Sequence, residues 1–265
     1  MSILCYCKFT IFASMKIKSY EIFNDLFKKY NVKVFIKRLD DISSSISGNK
    51  YFKLKYNIVQ AKKKSCKQII TFGGAFSNHI LATSIISKEN NLKSIAFIRG
   101  EETLPINPTL KLATSNGMKI LYLSRTEYRI KHNTDFQKKL ISKYDDSYIL
   151  NEGGTNHLAI KGTEEIISDN DSQDYICCPV GTGGTISGII NKSKADQKVI
   201  GFMSLKNKFD IQNQLSLFTN KKNWILNHKF TFGGYAKYNK ELVKFISDFY
   251  NEYNIPLDLV YNGKM

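Results

Sequence analysis

Two kinds of apolar pattern alternate along this chain. Short runs with apolar residues at every position or every second position are typical of strands. They cover residues 32–39, 68–72, 93–100 and 118–124, and they open the stretches 147–154 and 174–192. Helix-like stretches alternate with these runs at 51–64, 77–90, 108–117, 126–144 and 157–169, and an amphipathic helix is predicted from Met15 to Tyr30. The pattern predicts a regular succession of strands and helices.

The strand–helix succession indicates an α/β protein with parallel βαβ units. In open sheets of this class, ligands bind at the turns that lead from a strand into the next helix. Three such turns have an unusual composition, namely Gly73–Asn78, Glu152–Thr155 and Gly181–Thr185. A fourth notable turn, Ser47–Lys50, directly precedes a predicted helix. These four turns are where we look for a functional site.

The turn Gly181–Thr185 has the sequence Gly-Thr-Gly-Gly-Thr, after a buried strand and before a helix. Its three glycines let successive backbone N–H groups converge on an anion, and the helix N-terminus adds partial positive charge. No Lys-Ser/Thr pair follows, as a Walker A loop requires, and Ile186 breaks the dinucleotide spacing G-x-G-x-x-G. The turn predicts a phosphate site without a nucleoside triphosphate or NAD; an ordinary tight turn is the alternative.

Five side chains near these turns and near two glycine-rich loops are candidates for chemistry. Lys50 opens a helix, where a cation opposes the helix dipole, and a pocketed lysine of lowered pKa suits Schiff-base chemistry. Ser77 or Asn78 caps the next helix, and the Ser77 hydroxyl could bind a carboxylate. Tyr235 and Tyr261 stand beside glycines, where phenols serve as acids or bases. Taken singly, surface charge, capping and packing explain each of them equally well.

Composition restricts the class of protein further. The chain has 265 residues, 42% of them hydrophobic, a net charge of +16 and five cysteines. No apolar run approaches the ~20 residues of a membrane span, and the scattered lysines resemble solvated faces more than a nucleic-acid surface. The cysteines form neither a disulfide pattern nor a zinc spacing. We expect a cytoplasmic protein that binds neither membrane nor nucleic acid, and we expect Met15 to be the true start.

Taken in order, the motifs resemble those of one family. It is the aminocyclopropane-carboxylate deaminase/D-cysteine desulfhydrase family of fold-type-II pyridoxal-phosphate (PLP) enzymes, relatives of the tryptophan synthase β-subunit. The matching stretches are KRLDD at 37–41, SGNKYFKL at 47–54, TFGGAFSNH at 71–79, NEGGTN at 151–156, VGTGGT at 180–185, GGYAK at 233–237 and LDLVYNGK at 257–264. Single stretches are weak signals, but seven in the same order are specific.

The resemblance implies a role for each matching residue. Lys50 would hold PLP as a Schiff base and move the substrate α-proton. Ser77 would bind the substrate carboxylate or act as the catalytic hydroxyl, and Asn78 would hydrogen-bond the phenolic oxygen of PLP. Tyr235 and Tyr261 would stand beside the substrate. The remaining cofactor contacts would come from Gly181, Thr182, Gly183, Gly184, Thr185 and Asn262.

The resemblance also implies a fold of two doubly wound open-sheet domains. Residues 1–53 and 166–265 would form the large PLP-binding domain, and residues 54–165 a small inserted α/β domain. Family members continue for several tens of residues beyond the point where this chain stops at Met265. A truncated C-terminus, and with it an inactive chain, is therefore an open alternative. A homodimer is expected from the resemblance alone.

Two departures from the family pattern bear on the substrate. Phe52 replaces an arginine that usually follows two residues after the cofactor lysine, and Asn262 stands where deaminases have Glu and desulfhydrases usually have Thr. An uncharged residue does not keep the pyridine nitrogen protonated, which favours simple β-elimination over cyclopropane opening. We expect a lyase or deaminase that acts on D-cysteine or a related β-substituted amino acid. Aminocyclopropane-carboxylate deamination, a non-catalytic PLP-binding protein and a basic nucleic-acid binder are the alternatives.

Overall fold

The computed structural model describes residues 17–42, 46, 48–206 and 210–265. Contacts divide the chain into two units, Met1–Gly48 and Asn49–Met265. The first unit contains β1 (Ser19–Ile22), α1 (Asp25–Lys29) and β2 (Val34–Lys37), and the two strands pair antiparallel.

The helix predicted from Met15 to Tyr30 is wrong over the strand β1. The side chain of Asn24 accepts a hydrogen bond of 2.9 Å from the Leu26 N–H, so the helix begins only after Asn24. The residues before it, Ser-Tyr-Glu-Ile, find a partner strand in β2. Tertiary pairing thus overrides a local helical pattern.

The second unit is a succession of helices and parallel strands. Its elements are α2 (Asn49–Lys63), β3 (Gln68–Gly73), α3 (Asn78–Glu89), β4 (Lys93–Arg99), α4 (Pro108–Ser115), β5 (Met118–Leu123), α5 (Arg125–Arg129), α6 (Thr134–Lys143), β6 (Ser147–Leu150), α7 (His157–Glu164), β7 (Tyr175–Val180), α8 (Gly184–Lys192), β8 (Lys198–Met203), α9 (Ile211–Ser216), β9 (Trp224–Asn227) and α10 (Lys240–Tyr253). Short 3₁₀ turns cover Glu152–Gly154 and Asn262–Lys264.

A four-stranded parallel sheet has the order β5-β4-β3-β6. Its central strand β4 is buried from Ser94 to Ile98, because helices cover both faces of the sheet. One face packs against α5 and α6 through a cluster that includes Phe72, Phe97 and Leu140. The other face packs against α3 and α4 through Ile80, Ile98, Leu110 and others. This is a doubly wound sheet, as the sequence predicts.

A second parallel sheet has the order β7-β8-β9. Helices α2, α7 and α8 pack against each other in the same unit. Two glycines permit that packing: a Cβ at Gly162 of α7 would overlap the Phe52 carbonyl of α2, and one at Gly188 of α8 would overlap the Thr163 hydroxyl of α7. The packing places the start of α2 beside the start of α8.

The long helical stretch predicted over 126–144 is two helices, α5 and α6. They separate where the Asn133 side chain accepts hydrogen bonds from the N–H groups of Asp135 and Phe136 and caps α6. The other predicted strands and helices of the second unit are present, with ends that differ by a few residues. Within the described part of the chain, no helix combines the length and apolarity needed to cross a membrane.

Candidate functional site

The candidate cofactor lysine lies in the first turn of α2. Lys50 is partly exposed, and Lys53 follows one turn later on the same helix with a side chain that is 1% exposed. Residues three apart on a helix face the same side. The two amines are therefore neighbours at the start of α2, and Lys53 is the more deeply buried.

The glycine turn after β7 lies beside these lysines. The Asn49 amide donates a hydrogen bond of 2.6 Å to the Thr185 hydroxyl. The Lys53 ammonium donates to the Thr155 hydroxyl at 2.9 Å and makes a longer contact of 3.4 Å with the Thr182 hydroxyl. These two hydroxyls are 2.8 Å apart. Three turns that are distant in sequence thus meet at one cluster of donors.

Backbone conformation shapes the turn as an anion cradle. Gly183 has a φ of 81° and caps α8, a conformation that favours glycine. Gly153, in the neighbouring turn, has a φ of 67°, and a Cβ there would lie 3.0 Å from the Thr182 side chain. A Cβ at Gly184 would lie 3.0 Å from the Lys53 ammonium. The glycines leave the helix N-terminus and the ammonium directly accessible to a small anion.

Electrostatics favour an anion at this point. Burial lowers the pKa of Lys50 to about 8. Burial, with a smaller contribution from the Lys50 charge, lowers the pKa of Lys53 well below its usual value. Among the described residues, Lys53 forms no ion pair with a carboxylate. A buried ammonium with only hydroxyl partners lacks compensating charge. A phosphate would supply it, so these residues fit the phosphate of PLP.

The turn from β3 to α3 carries the predicted carboxylate cradle. Ser77 occupies the N-cap position of α3, but its hydroxyl makes no capping hydrogen bond. Asn78, the first helical residue, is exposed. The turn is close to the lysines, because the charges of Lys50 and Lys53 add to burial in lowering the pKa of His79. The helix N-terminal N–H groups and the Ser77 hydroxyl are therefore available to a carboxylate.

His79 is buried, with 2% of its surface exposed, and its Nε2 lies 2.8 Å from the Thr71 hydroxyl. The Thr71 hydroxyl donates to the Leu150 carbonyl at 3.1 Å, so its proton is not available to the histidine. His79 Nε2–H must then donate to Thr71, which leaves Nδ1 unprotonated. The ring ties β3 to α3 and holds the Ser77 turn in place.

The two candidate tyrosines contact each other. Their ring centroids are 6.5 Å apart at an interplanar angle of 66°. The Tyr261 ring lies over the glycine turn, because a Cβ at Gly181 would be 3.1 Å from Tyr261 Cε1. Burial is the main cause that raises the pKa of both phenols. Both hydroxyls therefore stay protonated near neutral pH and can donate hydrogen bonds.

Asn262 is the candidate that the structure connects least to the others. It is exposed, and its backbone N–H donates to the Asp258 carboxylate at 2.9 Å. None of the side-chain hydrogen bonds between described residues joins Asn262 or Asn78 to another candidate. Their proposed contacts are with the cofactor and not with each other.

Sequence reasoning missed Lys53 and Thr155. Both lie in stretches used for the resemblance, SGNKYFKL and NEGGTN, but neither was singled out. A signal for Lys53 existed, because it stands three residues after Lys50 and so shares its helix face. No local signal marks Thr155, which reaches Lys53 across 102 positions of sequence.

The fold and the site together define a class: α/β enzymes of fold type II that use PLP. The family described as "Pyridoxal-phosphate dependent enzyme" matches residues 21–206. In structure, the chain is similar to a homologue of ACC deaminase, with a TM-score of 0.78, 22% identity and coverage of 94% of this chain and 82% of the other. Maize serine racemase has the same fold, with a TM-score of 0.63 over 92% of this chain and 77% of the other, at 13% identity.

Sequence relatives narrow the class. A Thermotoga maritima protein named "Putative 1-aminocyclopropane-1-carboxylate deaminase" is 36% identical over 186 residues, which are 66% of this chain and 59% of the relative. An Arabidopsis thaliana protein named "Bifunctional D-cysteine desulfhydrase/1-aminocyclopropane-1-carboxylate deaminase, mitochondrial" is 26% identical over 87% of this chain and 65% of its own length. This chain belongs to the family of PLP-dependent enzymes, in its aminocyclopropane-carboxylate deaminase/D-cysteine desulfhydrase branch.

Proposed function

We propose that this chain is a lyase or deaminase that removes the β-substituent of D-cysteine or a related β-substituted amino acid. With D-cysteine, water would be consumed and the products would be pyruvate, hydrogen sulfide and ammonia. The observation that carries the proposal is the cluster of Lys50, Lys53 and the glycine turn Gly181–Thr185. When bound, PLP supplies an electron sink that stabilises the negative charge left on the substrate Cα after its proton is removed.

The proposed roles of the cluster follow from charge and position. Lys53, with the hydroxyls of Thr155 and Thr182, would hold the cofactor phosphate at the N-terminus of α8. Lys50 Nζ would bind the cofactor covalently and, once the substrate displaces it, accept the proton of Cα. A pKa of about 8 leaves a substantial neutral fraction of this amine near neutral pH. A neutral amine is the form needed both as nucleophile and as base.

The remaining candidates would act on the substrate. Ser77 Oγ and the first N–H groups of α3 would bind its carboxylate, since the hydroxyl makes no capping bond. Tyr235 and Tyr261 would act as donors and not as bases, because burial raises the pKa of both. A phenolic O–H that donates to the departing sulfur stabilises its developing negative charge.

The two names carried by the Arabidopsis relative mark the competing substrates. Asn262 supports β-elimination over opening of aminocyclopropane-carboxylate, because an amide carries no negative charge to stabilise a protonated ring nitrogen. The names of the relatives support the alternative. One assay separates the two: sulfide with pyruvate from D-cysteine, or 2-oxobutyrate with ammonia from aminocyclopropane-carboxylate.

The decisive experiment compares the visible absorption and turnover of the wild type with Lys50→Ala. We expect a cofactor band in the wild type that is lost or shifted in the variant, together with loss of multiple turnover, because no other amine replaces Lys50. Lys62→Ala, which removes an exposed lysine of the same helix, is the matched control and should change neither. Multiple turnover by Lys50→Ala would refute the assignment. A wild-type band without product from any small amino acid would favour the non-catalytic alternative.

A further inference from the structure

The loop that carries Tyr235 has a backbone that needs support. Between β9 and α10, Phe232, Gly233, Gly234 and Ala236 have φ values of 49°, 88°, 119° and 54°. Two of these residues have a Cβ, and the left-handed region is disfavoured for them. Such conformations persist when surrounding contacts impose them.

A buried ammonium makes the contacts that impose this conformation. Lys264 is 3% exposed, and its Nζ donates to the carbonyls of Thr231 at 3.0 Å and Gly234 at 2.7 Å. The same two carbonyls accept the N–H groups of Gly234 at 2.9 Å and Lys237 at 3.2 Å. Lys264 thus bridges two successive turns, and Tyr235 lies inside the second one.

The segment that carries Lys264 also carries the other tyrosine. The Asp258 carboxylate accepts the N–H groups of Val260, Tyr261 and Asn262 at 2.8, 2.7 and 2.9 Å. Lys264 stands three residues after Tyr261, within the 3₁₀ turn Asn262–Lys264. One segment therefore fixes Tyr261 directly and reaches across to the Tyr235 loop.

We propose that Lys264 is a positioning residue, whose ammonium clamps the loop at residues 231–237 so that the Tyr235 hydroxyl faces the substrate beside Tyr261. This inference rests on the proposed function, in which both phenols donate to the substrate. An ammonium suits the role because its three donors are compact enough to reach two carbonyls at once. A neutral apolar side chain would leave both carbonyls without this partner.

The test is a double-mutant cycle in the cofactor-loaded protein, with kcat and KM measured for D-cysteine. A displacement of a reacting group by about 1 Å can cost roughly 100-fold. We expect Lys264→Met to lower kcat on the order of 10- to 100-fold with little change in KM. In the Tyr235→Phe background the same change should cost less than about twofold, because residues that act as a unit are not additive. An equal loss in both backgrounds would overturn the proposal.

Three comparisons protect this test. Lys264→Arg, which keeps charge and donors, should restore part of the rate, and Lys240→Met, at an exposed position of α10, should have no effect. Hydrogen exchange of the Gly234 and Lys237 amides should accelerate in Lys264→Met while the sheets stay protected; unchanged exchange contradicts the clamp. If Lys264→Met does not fold, Lys264→Gln takes its place in the cycle. A retained cofactor band in the variant, lost only in Lys50→Ala, separates failure of the clamp from failure of the proposed function.

Discussion

Replacing Lys53 with methionine tests the anion site with two effects of opposite sign. Methionine keeps most of the length of the side chain and removes the charge. A hydrogen bond between charged groups contributes about 1.5–3 kcal/mol, and each 1.4 kcal/mol corresponds to about tenfold in affinity. We therefore expect Lys53→Met to weaken PLP binding by about 10- to 150-fold.

The same substitution should stabilise the cofactor-free protein at neutral pH. Burial lowers the pKa of Lys53 well below 10.5, so the folded state binds fewer protons than the unfolded state between the two pKa values. The free energy of unfolding of the wild type therefore rises with pH across that window, and its penalty is largest below it. Lys53→Met removes the penalty, so its advantage in urea denaturation should be clear at pH 7 and shrink as the pH approaches 10.

The binding assay compares PLP with pyridoxal, which lacks the phosphate. Titration by absorbance or fluorescence should show that Lys53→Met weakens PLP binding and leaves pyridoxal binding within about twofold. Lys62→Met, on the exposed face of the same helix, controls for the loss of one positive charge. Equal weakening for both ligands, or no weakening for either, would refute the assignment of Lys53 to the phosphate.

Three further substitutions test other parts of the structure. Ser77→Ala should lower kcat/KM for the amino-acid substrate without loss of the cofactor band; an unchanged kcat/KM removes Ser77 from the site. Gly181→Ala should displace the Tyr261 ring, from which its Cβ would lie 3.1 Å at the nearest atom, and near-ultraviolet circular dichroism together with kcat would report this. Gly162→Ala should destabilise the fold by about 1–3 kcal/mol in urea denaturation, because its methyl would overlap the Phe52 carbonyl; wild-type stability would contradict the packing of α2 on α7.

The order of strands and helices in the second unit could be predicted from the sequence because it depends on local periodicity. Runs such as Ile69–Phe72 and Ile95–Ile98 are buried on both faces, and continuous apolar composition is the signature of that environment. The glycine turn was recognisable for the same reason, since strand, glycines and helix are consecutive. Errors arose where tertiary contacts outweigh local pattern, as in β1 and in the break between α5 and α6.

The candidate site divides in the same way. The sequence alone marked Lys50, Ser77, the two tyrosines and the glycine turn, because each stands in a short recognisable motif. Only the tertiary structure selected Lys53 from among 39 basic residues, by burying it between α2 and the glycine turn. It also decided that Lys264 clamps the Tyr235 loop from 30 positions away. Such contacts depend on how helices and loops pack, and close packing at a few glycines is a property of the assembled core that no local stretch of sequence contains.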